Sequence, residues 1–462
     1  MNNLKLRHST IIRTSILLLS ALFFLYFIFT MEWVNGGADS FSHFLINRYS
    51  FQHPELFLHH WGKPFFTLIS SPFAQFGMKG MEVFNLLCLL TAAYLSSKIC
   101  TNLEYTYSIL AIIMTLFAPI VFIHVFSGIT EPFGALLLTF GVYLLSISKF
   151  RNACLVFSFL LFVRNESLVF LPLLFLYLIW INKGMYAFYL LSAPVLYSIL
   201  GSFHYGSLFW IVEQFPYTGA KEIYNSGSLF SFLDSYQSIT HLAVGIAFVL
   251  GFISLGIKWV KDKSDKWNTN SQMELFILLI IIGYFSAHSV VWWLGIGGSL
   301  GLTRVMILIV PLIAIIGVLG LNKIAAFLPE KLQMVFYLVF GIIVIYIPIE
   351  REELPKEIEV NDALVQLTLS KVELKEGEKK IGYFHPLVPY CAKIDPFRDD
   401  VSDLIFHGNS LLSQFNTGDV VIWDSHFGKN EGKTELDFLL QDFDIVASNK
   451  KDEFEIVVLV KK

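Results

Sequence analysis

A small set of side chains has the type and placement needed for chemistry. Asp39 follows Gly36-Gly37-Ala38 at the end of the first apolar stretch. Small residues there admit a close neighbour, and a carboxylate at that point can take a proton from a hydroxyl; it also fits an N-cap for SFSHFL. Arg304 stands at the head of a late apolar run, where a guanidinium can hold phosphate oxygens in bidentate fashion or simply snorkel to an interface. Lys63 and Arg164 are two further cations suited to phosphate, although Arg164 could instead pair with Glu166. Glu131, just before Pro132, could orient hydroxyls or only complement a helix dipole. Glu55, His59 and His60 share a loop with Asp39 and could orient a substrate or sit at headgroup level. A divalent metal on His59, His60 and Asp39 or Glu55 is one possibility, but adjacent side chains diverge on a regular backbone. Tyr217, within EQFPYTGAKEIYNSGS, offers a ring for a sugar face or for an ordinary interfacial loop.

These residues are carried by an unusually apolar chain. Of 462 residues 55% are hydrophobic and 15% charged, against the roughly 25% charged of soluble proteins. Charge is also divided unequally. Residues 1–349 hold 19 Lys and Arg against 14 Asp and Glu, and residues 350–462 hold 14 against 23. A soluble enzyme, a nucleic-acid binder resting on a basic patch and a disulfide-stapled module are thereby excluded. The four cysteines show no zinc spacing, and Gly295, Gly297, Gly298 and Gly301 match no nucleotide fingerprint.

Apolar segments centre on residues 15–31, 82–98, 106–124, 132–148, 152–163, 167–181, 186–203, 239–257, 274–294, 304–321 and 332–349, which predicts about eleven transmembrane helices. No small-residue cleavage pattern follows Thr30, so the first is expected to stay attached. With the N-terminus cytoplasmic, 13 of the 19 cations fall in inner loops. The others, Arg48, Lys63, Lys79, Arg164, Lys221 and Arg304, lie at outer loops. A single helix over 152–182 would invert this order and bury Arg164 and Glu166 at mid-bilayer, a cost of several kcal/mol. Two short spans with Arg164, Asn165 and Glu166 lining a recess are preferred. The expected domains are then 1–349, transmembrane with a first outer loop at 32–81, and 350–462, an extracytoplasmic module. Strands in KKIGYF, GDVVIWD and FEIVVLV with helical pattern at 360–370 and 434–443 give that module an α/β character.

The order of NGGADSFSHF, HHWGKPFF, SGITEPFGALLL, FVRNESLVFLP and GLTRVMILIVPLIAIIG relative to these spans resembles the GT-C superfamily of membrane glycosyltransferases. Within it, the resemblance is to the polyprenyl-phosphate-dependent group of protein O-mannosyltransferases and aminoarabinose transferases. It covers most of the chain, and the tail with GDVVIWDSHFG is similar to the C-terminal domain of bacterial members. The resemblance implies an α-helical polytopic fold with a small C-terminal α/β domain, and an inverting transfer of a sugar from a polyprenyl-phosphate donor. The acceptor would be a lipid, glycan or protein on the outer face of a bacterial inner membrane. It implies that Asp39 is the catalytic base. Many members carry two adjacent acidic residues, whereas Ser40 follows here, so Glu55 or Glu131 could assist. Family metal use varies and leaves the divalent ion open. Phosphate is a good leaving group, so cations stabilising its charge carry much of the load, with Arg304 first and Lys63 and Arg164 behind it. A polysaccharide flippase and an O-antigen ligase or polymerase are the competing classes. The absence of an internal repeat and the collection of ionisable residues at outer helix ends favour the transferase over the flippase, and donor specificity separates it from the ligase or polymerase.

Overall fold

The computed structural model describes residues 2–215, 225–261, 268–351, 359–372, 374, 377–405 and 409–462. Helices dominate as far as Arg351. The longer α-helices are α1 (Asn2–Thr30), α2 (Gly37–Tyr49), α3 (Pro64–Ala74), α4 (Met78–Asn102), α5 (Leu110–Leu116), α6 (Pro119–His124), α7 (Glu131–Ser146), α8 (Phe150–Leu160), α9 (Phe170–Trp180), α10 (Ser192–Tyr205), α11 (Leu242–Lys261), α12 (Thr269–Leu294), α13 (Val310–Ala325) and α14 (Glu330–Arg351). Among the described residues, seven helical stretches are long and apolar enough to cross a membrane. The other four expected segments are shorter or broken. The 106–124 segment splits into α5 and α6 because Pro119 cannot continue a helix from α5. The 132–148 segment forms α7, and 152–182 divides into α8 and α9 around Arg164, as the two-span reading requires.

The packing is inside-out relative to a soluble protein. α1 leaves Leu19, Leu22, Tyr26 and Phe29 exposed while burying Phe24 against Phe117, Phe122 and Phe126. α14 likewise exposes Leu338 and Ile342. Such faces are stable only against lipid, so the chain is a multi-pass membrane protein. At the centre lies α13, apolar on every side and almost wholly buried. It closes on α11 through paired glycines; a Cβ on Gly320 would come within 2.7 Å of the Gly251 amide nitrogen. Backbones approach that closely only where side chains are absent.

The tail forms a five-stranded sheet in the order β2-β1-β3-β5-β4, from β1 (Ile381–Tyr383), β2 (Val401–Asp403), β3 (Val420–Asp424), β4 (Phe443–Lys451) and β5 (Phe454–Lys461). β1 pairs in parallel with β2 and β3, and β5 runs antiparallel to β3 and β4. The helix expected at 360–370 is α15 (Val360–Leu369). At 434–443 only Leu436–Leu439 is helical; Phe443 begins β4, because its pairing with Lys461 draws that stretch into the sheet. The tail rests on α2. Tyr390 packs against Phe41 and Phe44 with ring centroids 4.8 and 5.4 Å apart, and His53 Nε2 meets Asp395 Oδ2 at 2.8 Å.

Candidate active site

Five charged side chains, from four separate stretches of the sequence, meet at the ends of α2, α7, α8 and the segment Thr303–Ile309 that leads into α13. Their signs alternate in the order Asp39, Arg304, Glu131, Arg164, Glu166. Arg304 Nη2 donates to Asp39 Oδ2 and Nη1 to the Gly36 carbonyl at 3.0 Å. Arg304 Nε and Arg164 Nη1 approach the same oxygen, Glu131 Oε1, at 3.3 and 3.0 Å. Arg164 Nε donates to Glu166 Oε1 at 2.8 Å. Among the described residues no aligned N–H or O–H bond reaches Glu131 Oε1, and both approaches are charge contacts. Arg164 Nη1 directs its hydrogen bond to Thr130 Oγ1 at 3.0 Å.

Local sequence explains the convergence. Gly36 takes φ 89°, a left-handed conformation that turns the chain from α1 into α2 and offers its carbonyl to Arg304. An added Cβ there would lie 2.7 Å from Ile129 Cγ2. Ser40 Oγ donates to the Asn35 carbonyl at 2.5 Å and accepts from the Gly128 amide at 3.1 Å. Asn85 Nδ2 holds the Ser127 carbonyl at 2.6 Å. These bonds join the loop before α2 to the loop before α7, which sets Asp39 and Glu131 side by side. Gly134, one turn into α7, leaves room for Arg164, whose Cγ would stand 3.2 Å from a Cβ.

The middle of the array is sealed and its ends are open. Glu131 is 1% exposed, whereas Asp39 is 31% and Glu166 25% exposed. Lys63 lies buried beside the array, its backbone at φ 63° ahead of Pro64. Burial pushes its amine down to about 7, and the fields of Glu166, Asp39 and Glu131 act against that. His43, one turn beyond Asp39, is pushed down to about 4 by burial and stands neutral.

The remaining residues expected from sequence lie apart from this array. His59 Nδ1 accepts from the Gly62 amide at 3.2 Å, and His60 Nε2 donates to the Ile211 carbonyl at 3.0 Å. Both therefore brace the loop. Glu55 lies 3.6 Å from His53 Nδ1 at the tail interface. Tyr217 lies outside the described residues. Among the described residues no group of three or more His, Cys, Asp or Glu is disposed to hold a metal. A cavity of about 890 Å³ also lies elsewhere: it runs between α2 and the tail, lined by Arg48, Tyr49, Tyr390 and Lys393 among others.

Sequence reasoning missed Thr130, Ser167, Tyr284 and His288. His288 carried a usable signal, an ionisable residue inside the apolar run SAHSVVWW. Ser167 and Thr130 carried none beyond adjacency to Glu166 and Glu131.

No family model and no curated protein matches the sequence. Two crystal structures of ArnT from Cupriavidus metallidurans do match in three dimensions. The one bound to undecaprenyl phosphate has a TM-score of 0.61 and 11% identity, covering 96% of this chain and 97% of that one. The apo structure has a TM-score of 0.59 and 11% identity, with 98% of each chain covered. Helical bundle and tail alike, the chain has the fold of ArnT, which is the polytopic fold with a C-terminal α/β domain that its resemblance to the GT-C superfamily implied.

Proposed function

We propose that this chain is an inverting glycosyltransferase that moves a sugar from a polyprenyl-phosphate donor to a hydroxyl-bearing acceptor. The observation carrying this reading is the Asp39-Arg304-Glu131-Arg164-Glu166 array, a carboxylate and a phosphate-binding guanidinium in direct contact at the end of the membrane bundle. The shared fold with an ArnT that binds undecaprenyl phosphate supports the choice of donor. Arg304 holds the donor phosphate, assisted by Lys63, and in turning to it releases Asp39. Asp39 takes the proton of the acceptor hydroxyl while that oxygen attacks the anomeric carbon from the face opposite the phosphate. The carbon–oxygen bond to phosphate breaks with its electron pair, and polyprenyl phosphate departs with its charge met by the cations. Glu131, Arg164 and Glu166 orient Arg304 and the sugar hydroxyls. In this reading the N-terminus is cytoplasmic in the inner membrane, and residues 350–462 lie outside it over the first outer loop, beside the cavity that receives the acceptor.

The test is transfer of label from a radioactive undecaprenyl-phosphate sugar to cell-envelope acceptor by protein reconstituted in nanodiscs. Asp39→Asn should lower kcat by about 10²–10⁴-fold, the range of a lost general base, with donor affinity kept. An Asn variant as active as wild type would remove Asp39 from the chemistry.

A further inference from the structure

Near Glu166 three polar atoms are buried and have no hydrogen-bond partner among the described residues. Asn165 Nδ2 and Ser167 Oγ flank Glu166 on the turn Asn165–Val169, and His288 Nε2 projects from α12. Tyr284 fixes their common location. Its ring stacks on Phe170, directly after the turn, at 5.1 Å, and its hydroxyl donates to the carbonyl of Val305, next to Arg304, at 3.2 Å. His288 is one helical turn beyond Tyr284, and the two rings meet edge to face at 4.5 Å. α12 is thus held to the turn on one side and to the Arg304 segment on the other through Tyr284, whose ring neighbour is His288. Ser167 is 1% exposed.

Buried polar groups are normally paired, and one left unpaired must earn its place by another contact. The open end of the array at Glu166 supplies an acceptor, Asn165 a donor, and Ser167 and His288 groups that serve as either. We propose that Asn165, Glu166, Ser167 and His288 form the subsite that reads the hydroxyls of the donor's pyranose ring, with the phosphate on Arg304. This rests on the donor reading above and deepens it by assigning sugar recognition to the Glu166 end and proton transfer to the Asp39 end.

Removing an orphaned polar atom does not cost the empty protein a hydrogen bond, so Ser167→Ala and His288→Leu should fold as well as wild type or better. Affinity is measured on the full chain in nanodiscs for undecaprenyl phosphate and for the same lipid carrying mannose, glucose or 4-aminoarabinose. Wild type should prefer at least one sugar-bearing lipid over the bare one. Each variant should weaken that lipid about 10- to 100-fold and leave bare undecaprenyl phosphate within about twofold, one tenfold step being 1.4 kcal/mol. Equal loss for both lipids, no loss for either, or a wild type without preference would overturn the subsite while the donor reading stands. A wild type that holds none of the lipids would overturn both.

Discussion

Glu131 is the centre of the array, and neutralising it measures whether the array is a coupled unit. It contacts Arg164 at 3.0 Å and Arg304 at 3.3 Å while 1% exposed. With an effective dielectric near 20, unit charges about 4 Å apart attract by about 4 kcal/mol, so Glu131→Gln forgoes about 8 kcal/mol of gross attraction. Relief from burying a carboxylate returns several kcal/mol, and a net loss of about 3–5 kcal/mol is the usual result of leaving a buried partner unpaired. Two guanidinia would then face one another without their shared counterion. The assay is the thermal midpoint in detergent at one scan rate for wild type, Glu131→Gln, Arg164→Gln and the double variant. Glu131→Gln should be strongly destabilised, and the double variant should recover part of that loss because the repulsion between the two guanidinia is gone. Arg304 also loses its brace, so kcat should fall alongside. Additive losses in the double variant, or a Glu131→Gln protein as stable as wild type, would refute the coupling.

Lys63 carries charge below about 7 and loses it above, so the KM for a polyprenyl-phosphate donor should rise about tenfold between pH 6 and 8. Lys63→Arg should flatten that profile, and a wild type without pH dependence would refute the role. In the tail, burial pushes the Asp424 carboxyl up to about 6 although the His426 and Phe427 amides donate to its Oδ1. A raised carboxyl favours the fold below about 4 and loses that contribution as pH rises through 6. Asp424→Asn should therefore protect the sheet from hydrogen exchange at pH 8, by on the order of 3 kcal/mol, and do little at pH 4. Gly36→Ala places a side chain at φ 89° and against Ile129, so it should abolish transfer and lower the thermal midpoint. Unchanged activity would show that the turn before Asp39 tolerates rearrangement.

The bundle was largely legible because lipid-facing helices must be apolar for their whole length, and α1, α4, α11, α12 and α14 stand as uninterrupted runs. The α8–α9 break was legible through Arg164 and Glu166, whose charges no continuous span would accept. β4 was not, since Leu436, Leu439 and Phe443 mimic a helical spacing and only pairing with β5 decides between the two. Asp39, Arg304, Glu131, Arg164 and Glu166 could each be named from sequence as charges at helix ends. That they form one alternating array could not, because the contacts span up to 265 residues and depend on backbone bonds such as Ser40 to Gly128. His59 and His60, dense in the same loop, lie apart from the array, and each has one ring nitrogen on a backbone partner.

The shortness of α8 has a consequence for the surrounding lipid. Its 11 residues extend about 17 Å, little more than half the roughly 30 Å of a typical hydrocarbon layer. On the two-span reading, bilayer thickness adapts on this flank by thinning. A depressed leaflet lowers the plane at which a lipid phosphate rides toward the array. For the proposed transferase, the distance a polyprenyl carrier climbs out of the membrane is then set by helix length, and short-chain lipids should favour turnover where long-chain lipids oppose it.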